Sequence, residues 1–233
     1  MTTVSGATVL VTGGQRGLGR AFVQELLEAG AAKVYATART PVADPDPRVV
    51  PVPLEVTDAD SVAELARVAD DVSIVFNNAG IGAVDSLVTV DLDAVKELFE
   101  ANVFGALRVA QAFAPILAAQ GGGALVDIHS ALSWAAGSGA YGATKAAFWS
   151  LTNSLRLELA PQGTQVIGVH LGYTDTDMIR DLDVPKGDPR AVARAVLTAL
   201  EKGESEVLAD DASQFFKAAL SGPVEGLSLP TAA

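Results

Sequence analysis

The stretch Ala7-Thr8-Val9-Leu10-Val11-Thr12-Gly13-Gly14-Gln15-Arg16-Gly17-Leu18-Gly19 decides the fold. Ala7–Val11 is an apolar run, the pattern of a strand covered on both faces of a parallel sheet. A helical pattern runs from Leu18 to Glu28 and is closed by Gly30. Between them the glycines are spaced G-x-x-x-G-x-G rather than G-x-G-x-x-G. Gly13 allows a sharp turn, Gly17 lets a pyrophosphate approach the backbone, and Gly19 allows the helix to pack closely on the strand. The helix N-terminus then offers free N–H groups and partial positive charge to phosphate. Such a pattern alone is weak, and its place directly after the first buried strand gives it weight.

Outward from this turn, strands and helices alternate. Strands are expected at Lys33–Thr37, Val49–Val52, Val72–Phe76, Ala124–Ile128, Gln165–Val169 and Glu206–Leu208. Helices are expected at Asp58–Asp70 (N-capped by Asp58), Asp91–Ala119, Gly139–Leu159, Arg190–Lys202 and Ala212–Leu220. Repeated β-α units imply an α/β fold: a Rossmann-type doubly wound parallel sheet of about seven strands with helices on both faces, a three-layer αβα sandwich. One domain is expected over residues 1–233, with an irregular tail over 222–233. Ligands of such sheets bind at the carboxyl ends of the strands.

Composition narrows the partners. The formal net charge of −12 disfavours nucleic acid and anionic membranes. There is no cysteine, and the two histidines, His129 and His170, lie far apart, so no metal site is expected. No apolar run approaches membrane-spanning length and no basic residue precedes Arg16, so a cytoplasmic protein without signal peptide is expected.

The acidic background also repels a phosphorylated cofactor, which would need local positive charge. The second strand ends Thr37-Ala38-Arg39, without the acid that holds ribose hydroxyls in NAD sites. Arg39 and Arg16 can both form charge-assisted bonds to a 2′-phosphate, which favours NADP(H).

Tyr141-Gly142-Ala143-Thr144-Lys145 opens the helix after the fifth strand. Tyr141 and Lys145, at i and i+4, share a helix face. A nearby ammonium and a helix N-terminus both stabilise a phenolate, bringing the tyrosine toward proton exchange at neutral pH. Ser130, at the end of the fifth strand, can hydrogen-bond the same substrate oxygen. Ser133 is its rival, because only 11 residues separate Ser130 from Tyr141. His129 should face away from Ser130, and both histidines are expected to be structural.

Together Thr12–Gly19, Asn77-Asn78-Ala79-Gly80, Asn102, Ser130 and Tyr141-x-x-x-Lys145 resemble the motifs of the short-chain dehydrogenase/reductase family, in its order, across roughly the whole chain. The resemblance implies hydride transfer between nicotinamide and a substrate carbon, without metal. Tyr141 would be the acid/base, and Ser130 would position the carbonyl. Lys145 would bind the nicotinamide ribose and lower the tyrosine pKa, and Asn102 would hold a water in a proton relay. Cofactor contacts would come from Gly13, Gln15, Arg16, Gly17, Leu18, Gly19, Arg39, Glu55, Val56, Asn78, Ala79, Gly80, Tyr141, Lys145, Gly172 and Thr174. Two positions depart from the family: Glu55 stands where Asp is usual, and Leu171-Gly172 replaces Pro-Gly.

Substrate-facing candidates are Leu132, Trp134 and Ser138 in one loop, and Tyr173, Thr174, Thr176 and Met178 in another. Their apolar character fits a hydrophobic ketone or secondary alcohol. Thr174–Val184 is short for a lid, so an open pocket is expected. The helices around 102–119 and 142–159 suggest, by resemblance, a homodimer or homotetramer. The leading expectation is an NADP(H)-dependent carbonyl reductase. The alternatives are an NAD-linked alcohol dehydrogenase and a non-catalytic NADP-binding scaffold.

Overall fold

The computed structural model describes residues 2–82 and 86–229. Seven parallel strands form one sheet: β1 (Thr8–Val11), β2 (Lys33–Ala38), β3 (Val49–Pro53), β4 (Ile74–Asn77), β5 (Ala124–Ile128), β6 (Gln165–His170) and β7 (Glu206–Leu208). Their order is β3-β2-β1-β4-β5-β6-β7, so the succession reverses between β1 and β4. The helices are α1 (Gly17–Glu28), α2 (Ala59–Val68), α3 (Leu92–Phe99), α4 (Ala106–Ala119), α5 (Gly139–Leu159), α6 (Pro189–Lys202) and α7 (Asp211–Ala219). This is the doubly wound sandwich that the strand–helix alternation predicts.

Alternation along each strand fills both faces, which is why the strands read as apolar runs. Val9 and Val11 join Phe22 and Leu26 of α1 and Val196 and Leu200 of α6 in one core. Leu10, between them, joins Val75, Leu125, Leu65 of α2, and Phe113 and Leu117 of α4 in the other.

Four helices start on aspartate caps. Asp58, Asp91, Asp188 and Asp210 each accept a backbone N–H of the first turn, worth about 1 kcal/mol apiece. By contrast α1 and α5 begin at Arg16 and Ser138 with no side-chain cap.

The helix expected over Asp91–Ala119 is interrupted. Between α3 and α4, Glu100–Gly105 form a π-helical turn. Asn77 Nδ2 donates to the Ala106 carbonyl at 2.8 Å, holding the widened turn against β4. By length and composition alone, Leu92–Ala119 could cross a membrane, but half of its most apolar stretch is buried inside the protein. The tail is more ordered than expected. Val224–Leu227 make a 3-10 turn, Ser228 bridges to Ala136, and only 230–233 of the tail lie outside the described residues.

Candidate active site

The glycine turn is fastened at both ends of its arc. Thr12 Oγ1 accepts the N–H groups of Asn78 and Ala79, both at 2.9 Å, and Asn78 Nδ2 donates to the Thr12 carbonyl. On the other side the Gly13 N–H donates to Thr37 Oγ1 and the Gly14 N–H to the Thr37 carbonyl. β1, β2 and β4 are thus joined at their carboxyl ends, where the strand order reverses. Gly13 has φ +65°, a conformation side chains disfavour. A Cβ on Gly19 would fall 2.1 Å from the Gly13 carbonyl oxygen, so only glycine lets α1 start this close to the turn. Thr12 and Thr37 are the turn's anchors; their positions at strand ends were the available sequence signal.

Ten arginines occur in the chain. Arg20, Arg48, Arg67, Arg108, Arg180, Arg190 and Arg194 pair with carboxylates, and Arg156 bonds Asn153 and two backbone carbonyls. Among the described residues, only the exposed Arg16 and Arg39 have no side-chain partner. They stand in the turn and just past β2, beside the uncapped start of α1. This donor set and the glycine cradle fit a dinucleotide phosphate. A cavity of about 310 Å³ opens between Gly17 and the segment Asp175–Lys186.

Other expected cofactor contacts have partners of their own. Gln15 exchanges two hydrogen bonds with the Val42 backbone, and Leu18 packs on the core. Glu55 accepts from the N–H and hydroxyl of Thr57, while buried Val56 abuts Gly105. The Gly172 N–H donates to the Asp210 carboxylate, and the Leu171 carbonyl accepts from Ala131. These bonds anchor the loop that lacks the usual proline, and Asp210 is a residue the sequence reading missed. Thr174 is buried, and its bridge to Gly187 closes the neck of the excursion that follows.

Tyr141, Lys145, Ser130 and Asn102 converge near the ends of β4 and β5. Lys145 is buried, and its Nζ donates to the Ile128 carbonyl at 2.8 Å while standing 5.8 Å from the Tyr141 ring centroid. Burial brings this lysine down to about 8, partly offset by Asp127. A Cβ on Gly80 would lie 3.0 Å from Asn102 Oδ1 and 3.9 Å from Lys145 Nζ, so this glycine keeps the two side chains accessible to each other. Asn102 sits on the π-turn, accepts from the Ile81 N–H at 2.8 Å, and donates to the Ile81 carbonyl and to Thr144 Oγ1. Thr144, also missed, returns its hydroxyl to the Tyr141 carbonyl.

The expected lowering of the Tyr141 pKa is corrected. Desolvation pushes the phenol up to about 12, and the group that opposes this shift is Ser130. Lys145 is directed to the main chain instead. Ser130, not Ser133, is therefore the serine beside the phenol. Ser133 is buried with its hydroxyl unpartnered.

Trp134 is a second correction. It is 6% exposed and stacks on His170 at 3.9 Å, with Trp149 edge-on and Lys217 Nζ 5.2 Å from its ring. It is core, not pocket wall. Both histidines are structural, as expected. Burial lowers His170 to about 3, so it is neutral, and its Nδ1–H donates to the Ser130 carbonyl at 3.1 Å. Buried His129 packs on Phe148.

Ser138 donates to the Ala135 and Leu132 carbonyls, and half-buried Leu132 donates its N–H to Ser130 Oγ. Tyr173 and Met178 are exposed, at 42% and 55%. A Cβ on Gly82 would meet Met178 Cγ and Sδ at 3.1 Å. The expected open pocket is thus spanned at this point, where the loop after β6 touches the loop after β4.

The sequence profile of the short chain dehydrogenases matches residues 7–186. A short-chain dehydrogenase of Burkholderia cenocepacia, solved in complex with NADP, is 37% identical and superposes with a TM-score of 0.92 over 97% of each chain. The short-chain dehydrogenase cctT of Talaromyces islandicus is 31% identical, the match covering 84% of this chain and 74% of that protein. The bulky-bulky ketone specific alcohol dehydrogenase of Comamonas testosteroni is 27% identical, with a TM-score of 0.74 over 86% of this chain and 85% of its own. With its seven-stranded parallel sheet and its glycine turn at the switch in strand order, the chain belongs to the short-chain dehydrogenase family, oxidoreductases that act on CH–OH groups with a nicotinamide cofactor.

Proposed function

We propose that this enzyme is an NADP(H)-dependent reductase of hydrophobic ketones. The observation that carries the reading is the convergence of Ser130, Tyr141, Lys145 and Asn102 beside Gly80 at the switch in strand order. When bound, the nicotinamide supplies the hydride. Tyr141, kept protonated at neutral pH by burial, donates a proton to the carbonyl oxygen. Ser130, fixed through its own hydroxyl and carbonyl, orients that oxygen. With the cofactor bound, Lys145 would hold the nicotinamide ribose and keep its positive charge near the Tyr141 ring, and Asn102 would line the route by which a proton returns.

Arg16 and Arg39, free of partners, receive the 2′-phosphate. The complex of the Burkholderia relative with NADP supports this choice. Exposed Tyr173, Met178 and Ile81 give the cleft an apolar rim, and the ketone specificity of the Comamonas relative points the same way. Exposed Phe104 and Leu157, on the helices expected to pair, support a homodimer or homotetramer.

The test is NADPH and NADH consumption against a panel of small and bulky ketones. NADPH-dependent turnover is expected. A marked preference for NADH, or activity confined to alcohol oxidation, refutes the proposal.

A further inference from the structure

The interval from Ser130 to Tyr141 is only 11 residues long, and it is braced by a part of the chain remote in sequence. The Ala136 N–H donates to the Leu227 carbonyl at 2.7 Å, and the Leu229 N–H donates to the Ala136 carbonyl at 3.1 Å. These bonds make a one-residue parallel bridge between Ala136 and Ser228. The Leu229 side chain packs on the small core formed by Ala131, Trp134, Ala135 and Phe216. It also covers Gly137, where a Cβ would stand 3.9 Å from Leu229 Cδ1.

From this core the contacts lead directly to the site. Trp134 stacks on His170, and His170 donates to the Ser130 carbonyl. On the other side Ser138 donates to the Ala135 carbonyl, next to the strapped residue, at the entrance to the helix that carries Tyr141. The loop thus has four holds: Ser130 at one end, Trp134 on His170, the 227–229 segment at Ala136, and Ser138 at the other end. Trp134 fixes the first half of the loop, so the 227–229 segment decides how far the second half, Ala135–Gly137, stands from the cleft.

We infer that Leu227–Leu229 is a positioning strap, which sets the height of the Ala131–Ser138 loop over the carbonyl-binding end of the cleft and so selects substrates by size. The loop geometry stands by itself; the effect on substrates rests on the reductase reading above. The strap touches neither the glycine turn nor Arg39, so it acts on the ketone and not on the nucleotide.

Two variants test this: a chain ending at Gly226, and Leu229→Ala, with Leu229→Met as the conservative control. Hydrogen exchange over residues 131–141 reads the strap without any activity. Exchange of the Ala136 amide should speed up by at least about fivefold in the first two variants and stay slow in the control. With turnover, KM for small ketones should rise about tenfold, while kcat and cofactor affinity hold within about twofold, and the ratio of bulky to small ketone kcat/KM should rise. Unchanged exchange and unchanged selectivity overturn the strap. A parallel loss of kcat, cofactor affinity and thermal midpoint also overturns it, since that is the signature of general unfolding. If the intact chain reduces no ketone yet exchange depends on the strap, the reductase reading fails and the strap stands.

Discussion

Lys145 Nζ donates to the Ile128 carbonyl at 2.8 Å, pinning α5 to the last residue of β5. The bond holds a cation in a buried site, where desolvation lowers the lysine to about 8 and the neighbouring Asp127 opposes that shift. The ammonium is therefore present at neutral pH and is lost only slightly above it.

This fixes the expected pH profile. Reduction should be level through neutral pH and fall as pH climbs through about 8, when Lys145 loses its charge while Tyr141, near 12, keeps its proton. Steady-state kcat/KM against pH measures it. Lys145→Met should abolish that descending limb and lower turnover throughout; a wild-type profile flat to about pH 10 refutes the role of Lys145.

Tyr141→Phe removes the proton donor and leaves the ring in place. Turnover should drop by about 10²–10⁴-fold with cofactor affinity nearly unchanged. Full activity in this variant, measured with the best ketone of the panel, rules out the proposed chemistry.

Arg39→Ala and Arg16→Ala should each weaken NADPH binding by about 10- to 100-fold, the equivalent of one charge-assisted bond, and leave NADH binding unaltered. Fluorescence titration of both nucleotides reads the difference. Equal losses for the two nucleotides would place the arginines elsewhere than at the 2′-phosphate.

Asp127 is fully buried, and desolvation raises its pKa from the usual carboxylate value to about 6, against the opposing effects of Thr152, Asn77 and the nearby cations. Between about pH 4 and 6 the unfolded chain sheds this proton while the folded one retains it. Stability should therefore fall as pH rises through that window, by about 3 kcal/mol in all. Asp127→Asn, which can still accept from Thr152 Oγ1, should lose that dependence. Thermal midpoints of both proteins from about pH 4 to 7 measure the contrast.

Trp134→Ala should cost about 3–5 kcal/mol of stability, because it empties the stack on His170. Denaturant unfolding is the measurement. A stable variant with only a raised KM would return Trp134 to the pocket wall.

The sheet was readable because its strands, the inner ones covered on both faces, carry their apolar runs within three to six residues. The site's four central residues were readable because their types and order are tied to chemistry. Trp134 was misread because its burial depends on His170 and Lys217, partners 36 and 83 positions away that no local pattern reveals. The same distance hid Asp210 behind Gly172 and the tail behind Ala136. The Tyr141 pKa was misjudged because helix spacing brings a lysine to the correct face but does not say that Ile128 takes its proton donor.

The π-turn at Glu100–Gly105 has one more consequence. Such a turn holds one residue more than a regular helix needs. Deleting a single residue there would let the segment relax into an unbroken α-helix while α3 and α4 keep their rotation about the axis, because the widened turn already absorbs the extra residue. Asn102 would swing away from Ile81, and its link to Thr144 would break. Relatives without the extra residue should therefore keep both flanking helices seated and lose only the contacts that Asn102 makes here.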